Sequence, residues 1–211
     1  MRTTNLFAGL LVGCLTGGTA SATALLPDSY DMLNGNTGSY QYWDDTYTGT
    51  GCLTCDGDAL AGGKGDLTDG IIAADNWNIT EAPAGPGPYV GWTISPKITF
   101  HWNSPVSLGS VTFYLDDADN LGGVMAPASI IVNGVTFIVA DPPGQAPFAF
   151  TAGGLSFVGT DLEVQLNLRS SWVFLSEVKF DGEVVPEPGT LGLTLAGLGT
   201  LAAIARRRRS K

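Results

Sequence analysis

Histidine is nearly missing from this 211-residue chain: His101 is the only one. A Ser-His-acid or Cys-His mechanism has no other imidazole to draw on. His101 falls inside the alternating run Ile98 to Trp102, between aromatic neighbours, and reads as a half-buried strand residue rather than a base. No glycine loop of the nucleotide-binding kind follows a strand, and no His-Glu-x-x-His helix is present. Glycoside hydrolysis needs two carboxylates at a set separation. With 20 acids some pair meets that spacing by chance, so the sequence carries no signal for it. Positive charge is scarce in the middle of the chain. Of ten Lys and Arg, Arg2, Arg206–Arg209 and Lys211 lie at the ends, which leaves four against 20 acids, or −16. A body this acidic repels nucleic acid and anionic lipid headgroups.

Long apolar runs occur only at the two ends. At the N-terminus Arg2 is followed by the apolar run Leu6 to Leu15 and by Ala22-Thr23-Ala24. Residues 1–24 therefore read as a secretory signal peptide cut after Ala24, with Ala22 as the alternative. Leu11-Val12-Gly13-Cys14 resembles a lipobox, and lipidation of Cys14 is the competing reading. At the C-terminus Pro186-Glu187-Pro188 precedes 17 uncharged residues, Gly189 to Ala205, and then the Arg206–Arg209 cluster. As a helix, 189–205 spans roughly 25 Å, enough for a thin hydrocarbon core. The basic cluster holds the following end in the cytoplasm, so everything before Pro186 is delivered across the membrane.

That order of Pro-Glu-Pro, short Gly/Leu/Ala span and Arg cluster resembles the PEP-CTERM sorting tail, here 184–211; an ordinary tail anchor is the plainer alternative. The resemblance implies an exosortase-type membrane transpeptidase as partner and transient anchoring in the inner membrane. It further implies delivery to the cell surface or outside. It gives an address, not an activity. After export only Cys52 and Cys55 remain, an even pair in an oxidising compartment. They read as a local disulfide, since two thiols and one imidazole cannot complete a zinc site.

Between the ends, residues 25–183 show no helical period. Short runs alternate instead: Ile98, Phe100 and Trp102; Val111, Phe113 and Leu115; Leu162, Val164, Leu166 and Leu168. Ile130-Ile131-Val132 and Val135-Thr136-Phe137-Ile138 flank Asn133-Gly134, a strong hairpin signal. Strands at this spacing predict one all-β domain, a jelly-roll β-sandwich. Asp116-Asp117-Ala118-Asp119-Asn120 reads as a solvated turn, because Leu121 and Ala128 stand where an EF-hand needs ligands.

Leu67-Thr68-Asp69-Gly70 with Trp77, and Ser176-Glu177-Val178 with Phe180, resemble the early loop and last strand of discoidin-type, galactose-binding-like domains. The resemblance covers roughly 30–183. It implies a structural calcium held by Asp69 and Glu177 with backbone carbonyls of the 66–75 loop. Calcium does take six to eight such oxygens. Ile71-Ile72-Ala73-Ala74 departs from the pattern, which leaves Asp75 or Asn76 as substitutes and an Asx-turn at Asp69 as the plain alternative. Glu177 shares strand parity with Val173 and Leu175, yet the opposite face is apolar too, so parity leaves its direction open. The resemblance also implies sugar binding by aromatic platforms, for which Tyr42, Trp43, Trp92 and Trp102 are the candidates. The leading expectation is a non-catalytic, exported polysaccharide-binding protein. A matrix protein without a specific ligand and a small secreted hydrolase are the alternatives.

Overall fold

The computed structural model describes residues 25–81, 86–186 and 189. The signal peptide expected over 1–24, Glu187, Pro188 and the membrane helix expected over 189–205, bar Gly189, lie outside the described residues. Among the described residues no helix is long and apolar enough to cross a membrane. The chain runs β1 (Ser29–Leu33), β2 (Ala59–Gly63), α1 (Trp77–Thr80), β3 (Val90–Trp92) and β4 (Lys97–Leu115). It continues as β5 (Ser129–Val132), β6 (Val135–Ile138), β7 (Phe148–Asn167) and β8 (Val173–Val184). Short 3-10 turns lie at Asp66–Thr68 and Leu121–Gly123.

The runs around Phe100 and Phe113, separate in the sequence pattern, are two halves of the single 19-residue strand β4. Before His101, β4 pairs with β1 and with the second half of β7; after Val106 it pairs with the first half of β7 and with β8. A shift in register between His101 and Val106 marks the corner. One sheet thus runs β2-β1-β4-β7-β5-β6, and a second runs β7-β4-β8-β3, with all these pairs antiparallel. Their inner faces meet where Phe180 of β8 packs edge-on against Trp102 at 5.1 Å and at 4.9 Å from Phe100. The body is the expected all-β sandwich.

Alternation selects the buried side chains, and bulges reset it. Ile98, Phe100, Trp102, Val106 and Leu108 point inward; after the irregularity at Gly109 the inward set becomes Val111, Phe113 and Leu115. One extra residue in a strand exchanges its faces, which accounts for the change of parity. The β5–β6 hairpin closes on Asn133 and Gly134, both at positive φ (46° and 80°), as the sequence predicts. Cys52 and Cys55 are joined by a disulfide across a Cα separation of 5.4 Å.

A third layer covers the outer face of the second sheet. It is built from the 34–47 loop, the 66–81 segment and the 116–124 loop, and it buries a second aromatic cluster around Tyr42, Trp77, Tyr89 and Phe174. The turn 116–120 is part of that layer: Asp116 and Asp117 are fully buried rather than solvated. The polar spacing suggested a surface turn because nothing local signals the loops that pack over it.

Candidate functional site

Glu177 faces this outer layer, not the sandwich interior. Phe113 lies opposite Val178 and Tyr114 opposite Glu177, but Leu115 lies opposite Leu175, so Ser176 is an extra residue. The bulge puts Leu175 and Val178 on the inner face together and leaves Glu177 on the other side. There the 66–70 turn closes over it, and the Gly70 N–H donates to Glu177 Oε2 at 2.9 Å. Gly70 holds φ at 88°, a left-handed conformation that suits glycine. Burial, with a contribution from Asp69, pushes the Glu177 carboxyl up to about 7 against the lowering effect of that N–H.

Asp69 and Glu177 therefore come together at one loop–strand junction. Asp69 is exposed, and its Oδ1 accepts the Ile71 N–H at 2.7 Å, which is an Asx-turn. Asn76 is occupied elsewhere, donating to Asp116 Oδ1 and to the Asp117 carbonyl. Beside the turn the structure buries two further acids. Asp44 accepts the Tyr30 hydroxyl and the Asp66 N–H; Asp66 accepts the Asp45 N–H and the Thr46 hydroxyl. Burial lifts Asp44 to about 6 and, reinforced by Asp44, lifts Asp66 to about 7. Among the described residues no group of three or more His, Cys, Asp or Glu is placed to hold a metal. A cation at this turn needs backbone oxygens to complete its shell. By donor type, the turn offers the Asp69 and Glu177 carboxylates, backbone carbonyls and a buried Thr68 hydroxyl that has no hydrogen-bond partner.

The rings expected to stack on a ligand are mostly framework. Exposure runs from 0% for Trp92 to 7% for Trp43. Trp92 Nε1 donates to the Leu33 carbonyl and Trp43 Nε1 to Asp56, while Trp102 packs on Phe180. Large rings in a small sandwich fill its interior, because nothing else buries as much area. Tyr42 is the exception in position: although buried, it forms the floor of a hollow in the outer layer. Its ring meets Trp172 at 5.4 Å, Trp77 at 5.9 Å and Phe174 at 4.7 Å, all edge-to-face. Gly38, Ser39, Gly122 and Val124 complete the wall of this small, half-open space. Half-buried Tyr40 and Trp172 stand at its edge.

Two carboxylates set this hollow. Asp116 accepts the Trp77 N–H at 3.0 Å and the Asn76 amide at 2.7 Å, which anchors the start of α1. Glu81, just past α1, accepts the Tyr89 N–H at 3.1 Å, and its second oxygen has no partner. Burial raises Asp116 to about 6 and Glu81 to about 7. Gly122 (φ 62°) runs so close to Trp77 that a Cβ there would sit 2.7 Å from the indole. The Trp77 indole Nε1–H, in contrast to its backbone N–H, is buried without an acceptor. Tyr40, Trp77 and Trp172 were overlooked as a set because they come from three distant segments. His101, by contrast, is flanked by carboxylates alone, Asp161 at 2.6 Å and Asp31 at 3.3 Å.

Residues 184–209 match the PEP-CTERM protein-sorting motif. The chain is thus an all-β sandwich carrying a signal for export and surface sorting. A search of curated proteins finds no match. Among solved structures, the body is similar to a fucolectin from striped bass (Morone saxatilis) serum at 17% identity and TM-score 0.37, covering 56% of this chain and 40% of the fucolectin. It is similar to a Streptococcus pneumoniae fucose binding module at 16% identity and TM-score 0.36, covering 55% and 79%. A family 32 carbohydrate-binding module from C. perfringens NanJ, solved with galactose, matches at 9% identity and TM-score 0.30, covering 51% and 88%.

Proposed function

We propose that this protein is an exported, non-catalytic carbohydrate-binding module that an exosortase sorts to the cell surface. On this reading the C-terminal helix anchors it in the inner membrane until the tail is processed. The observation that carries the proposal is the placement of the aromatic hollow relative to the tail. Trp172 and Phe174, at the start of β8, line the hollow. The tail leaves from the other end of β8, where the Val185 N–H is tied to the Pro105 carbonyl at 2.8 Å. A 12-residue strand spans roughly 36–40 Å, so the hollow is held away from the attachment point. A saccharide ring offers an apolar C–H face to stack on indole and a rim of hydroxyls for nearby backbone groups. Tyr42 is kept from the expected set as a platform, joined by Tyr40, Trp77 and Trp172 in place of Trp43, Trp92 and Trp102.

Calcium is the proposed cofactor, held by Asp69 and Glu177 with carbonyls of the 66–75 loop. It would supply a counter-charge at Glu177 beyond that of Lys179 and fix the turn that leads into α1 and the hollow. Binding of the full chain to immobilised bacterial exopolysaccharides tests the main reading. Retention is expected, and its loss in Trp172→Ala; no retention by any polymer would defeat it. Replacing Pro186-Glu187-Pro188 tests the sorting step. The variant is expected to stay in the inner membrane, and normal release would refute the role given to the tail.

A further inference from the structure

We infer that two copies of this chain join through the free edge of β7, in an antiparallel strand pair centred on Phe150. From Asn120 to Thr160 the sequence holds one charged residue, Asp141, although residues 25–187 hold 20 acids against four Lys and Arg. Arg169 pairs with Asp141 at 3.6 Å, so even that charge is met. The tract forms β5, β6 and the first half of β7, which lie beyond β4 in their sheets on one side of the sandwich. Two bodies this acidic repel each other across their other faces. Along this side they meet without like charge.

Among the described residues, β7 from Phe148 to Val158 pairs with β4 alone, so alternate N–H and C=O groups on its other side meet no strand. Phe148, Phe150 and Ala152 lie opposite Leu115, Phe113 and Val111, all buried on the inner face. Ala152 is buried with them. Phe148 and Phe150 pack on the same interior yet stay half-buried, because no strand lies beyond them. The regular stretch ends where the register shifts at Gly153 and Gly154 turns to a φ of 72°. Residues 148–152 are their own complement in an antiparallel pair with twofold symmetry. Phe150 meets the partner's Phe150, Phe148 meets the partner's Ala152, and exposed Ala149 meets the partner's Thr151. Aromatic pairs across strands add to what the backbone bonds supply. The edge of β6 is free as well, but four residues beside a tight turn make a shorter template. Strand direction has a further consequence. β7 and β8 are both antiparallel to β4, so they run the same way within one copy. Pairing reverses β8 in the partner, and the tails that follow β8 leave from opposite ends. Two copies held in one membrane cannot pair in this way, so the contact joins released copies or copies on facing surfaces.

Sedimentation velocity of the full chain in non-ionic detergent tests the contact. Dimers are expected, and raising salt from about 0.05 M to about 0.5 M should tighten them, since screening weakens the repulsion between two acidic bodies. Thr151→Glu sets a new carboxylate at the pair and should weaken association at least tenfold. Thr151 is exposed and gives up only its contact with the Thr112 hydroxyl, so the melting temperature should move by no more than a few degrees. Adding Ala149→Lys to Thr151→Glu should restore the dimer, because the register sets each new ammonium opposite the partner's new carboxylate. Thr136→Glu, on the free edge of β6, should leave the dimer intact. A monomer at both salt concentrations overturns the inference. So does a dimer that Thr151→Glu leaves unchanged, which is held by the tail or by another face. Loss of the dimer in Thr136→Glu alone places the contact on β6 and not on β7. Failure of Ala149→Lys to restore association overturns the register centred on Phe150.

Discussion

The two faces of β8 are buried by different means. Its inner face presents Val173, Leu175, Val178 and Phe180 to an interior made of aliphatic and aromatic groups. Its outer face presents Phe174, Ser176 and Glu177 to loops that bring their own acids, and polar contacts hold that layer together. The Gly70 N–H binds Glu177, the Ala73 N–H meets the Ser176 hydroxyl, and the Trp77 N–H binds Asp116. Non-directional packing stabilises the first face. The second depends on carboxylates taken out of water, each costly unless donors meet it. The inner face makes the fold, and the outer face carries the candidate site.

If that distinction is right, deleting packing should cost most on the inner side. Phe100 is fully buried between Tyr30 at 5.7 Å and Phe180 at 4.9 Å. Phe100→Ala is expected to lose about 3–5 kcal/mol. Urea unfolding should show this loss at both pH 5 and pH 8, because the contacts removed are apolar. A loss below about 1 kcal/mol would mean that the sheets do not share a packed interior.

The outer layer should respond to calcium next. At free calcium 100 times the dissociation constant the stabilisation is about 2.7 kcal/mol. Chelation is expected to lower the melting temperature, and Glu177→Gln to remove that difference. An unchanged melting curve on chelation excludes the metal.

The same carboxylates predict a pH dependence confined to the outer layer. Asp44, Asp66, Asp116, Glu81 and Glu177 titrate near 6–7 in the fold. In the unfolded chain such groups titrate near 4. Between those values the folded state holds more protons, so calcium-free protein loses stability as pH rises from about 4 to about 7. Asp56 and Asp161 shift the other way, but they lie at the surface, where solvent screens the effect. Melting of the chelated protein should therefore peak below pH 5, and Asp66→Asn should flatten the curve. Excess calcium should reverse the trend in the Glu177 contribution, since the metal needs the ionised form. A chelated protein equally stable at pH 5 and pH 8 would contradict the burial of these acids.

The inner face was legible in the sequence because alternation and the Asn133-Gly134 turn are local signals. The strand runs, the hairpin and the sandwich class follow from them. What alternation cannot show is a bulge: Gly109 and Ser176 each exchange a strand's faces, and the second decides where Glu177 points. The tail was legible because its order of motif, apolar run and basic cluster is linear. The hollow was not, since Tyr40, Trp77 and Trp172 meet only through tertiary packing. Tyr42, Trp43, Trp92 and Trp102 share one chemistry, and only tertiary packing decides that three of them are framework.

The smallest expected effect lies on neither face of β8. Lys97 and Glu163 form an ion pair at 3.1 Å across β4 and β7, with 61% and 57% of their side chains exposed. Water and salt screen such a pair, and holding two long side chains in place offsets much of the attraction. Lys97→Ala should change stability by less than about 0.5 kcal/mol, and less again at 0.5 M salt. The outer-face acids are few and buried; this pair is exposed, so its charge should matter little although its geometry is better. Were Lys97→Ala to cost as much as Asp66→Asn, solvent exposure would not be what separates the charges that govern this protein from those that decorate it.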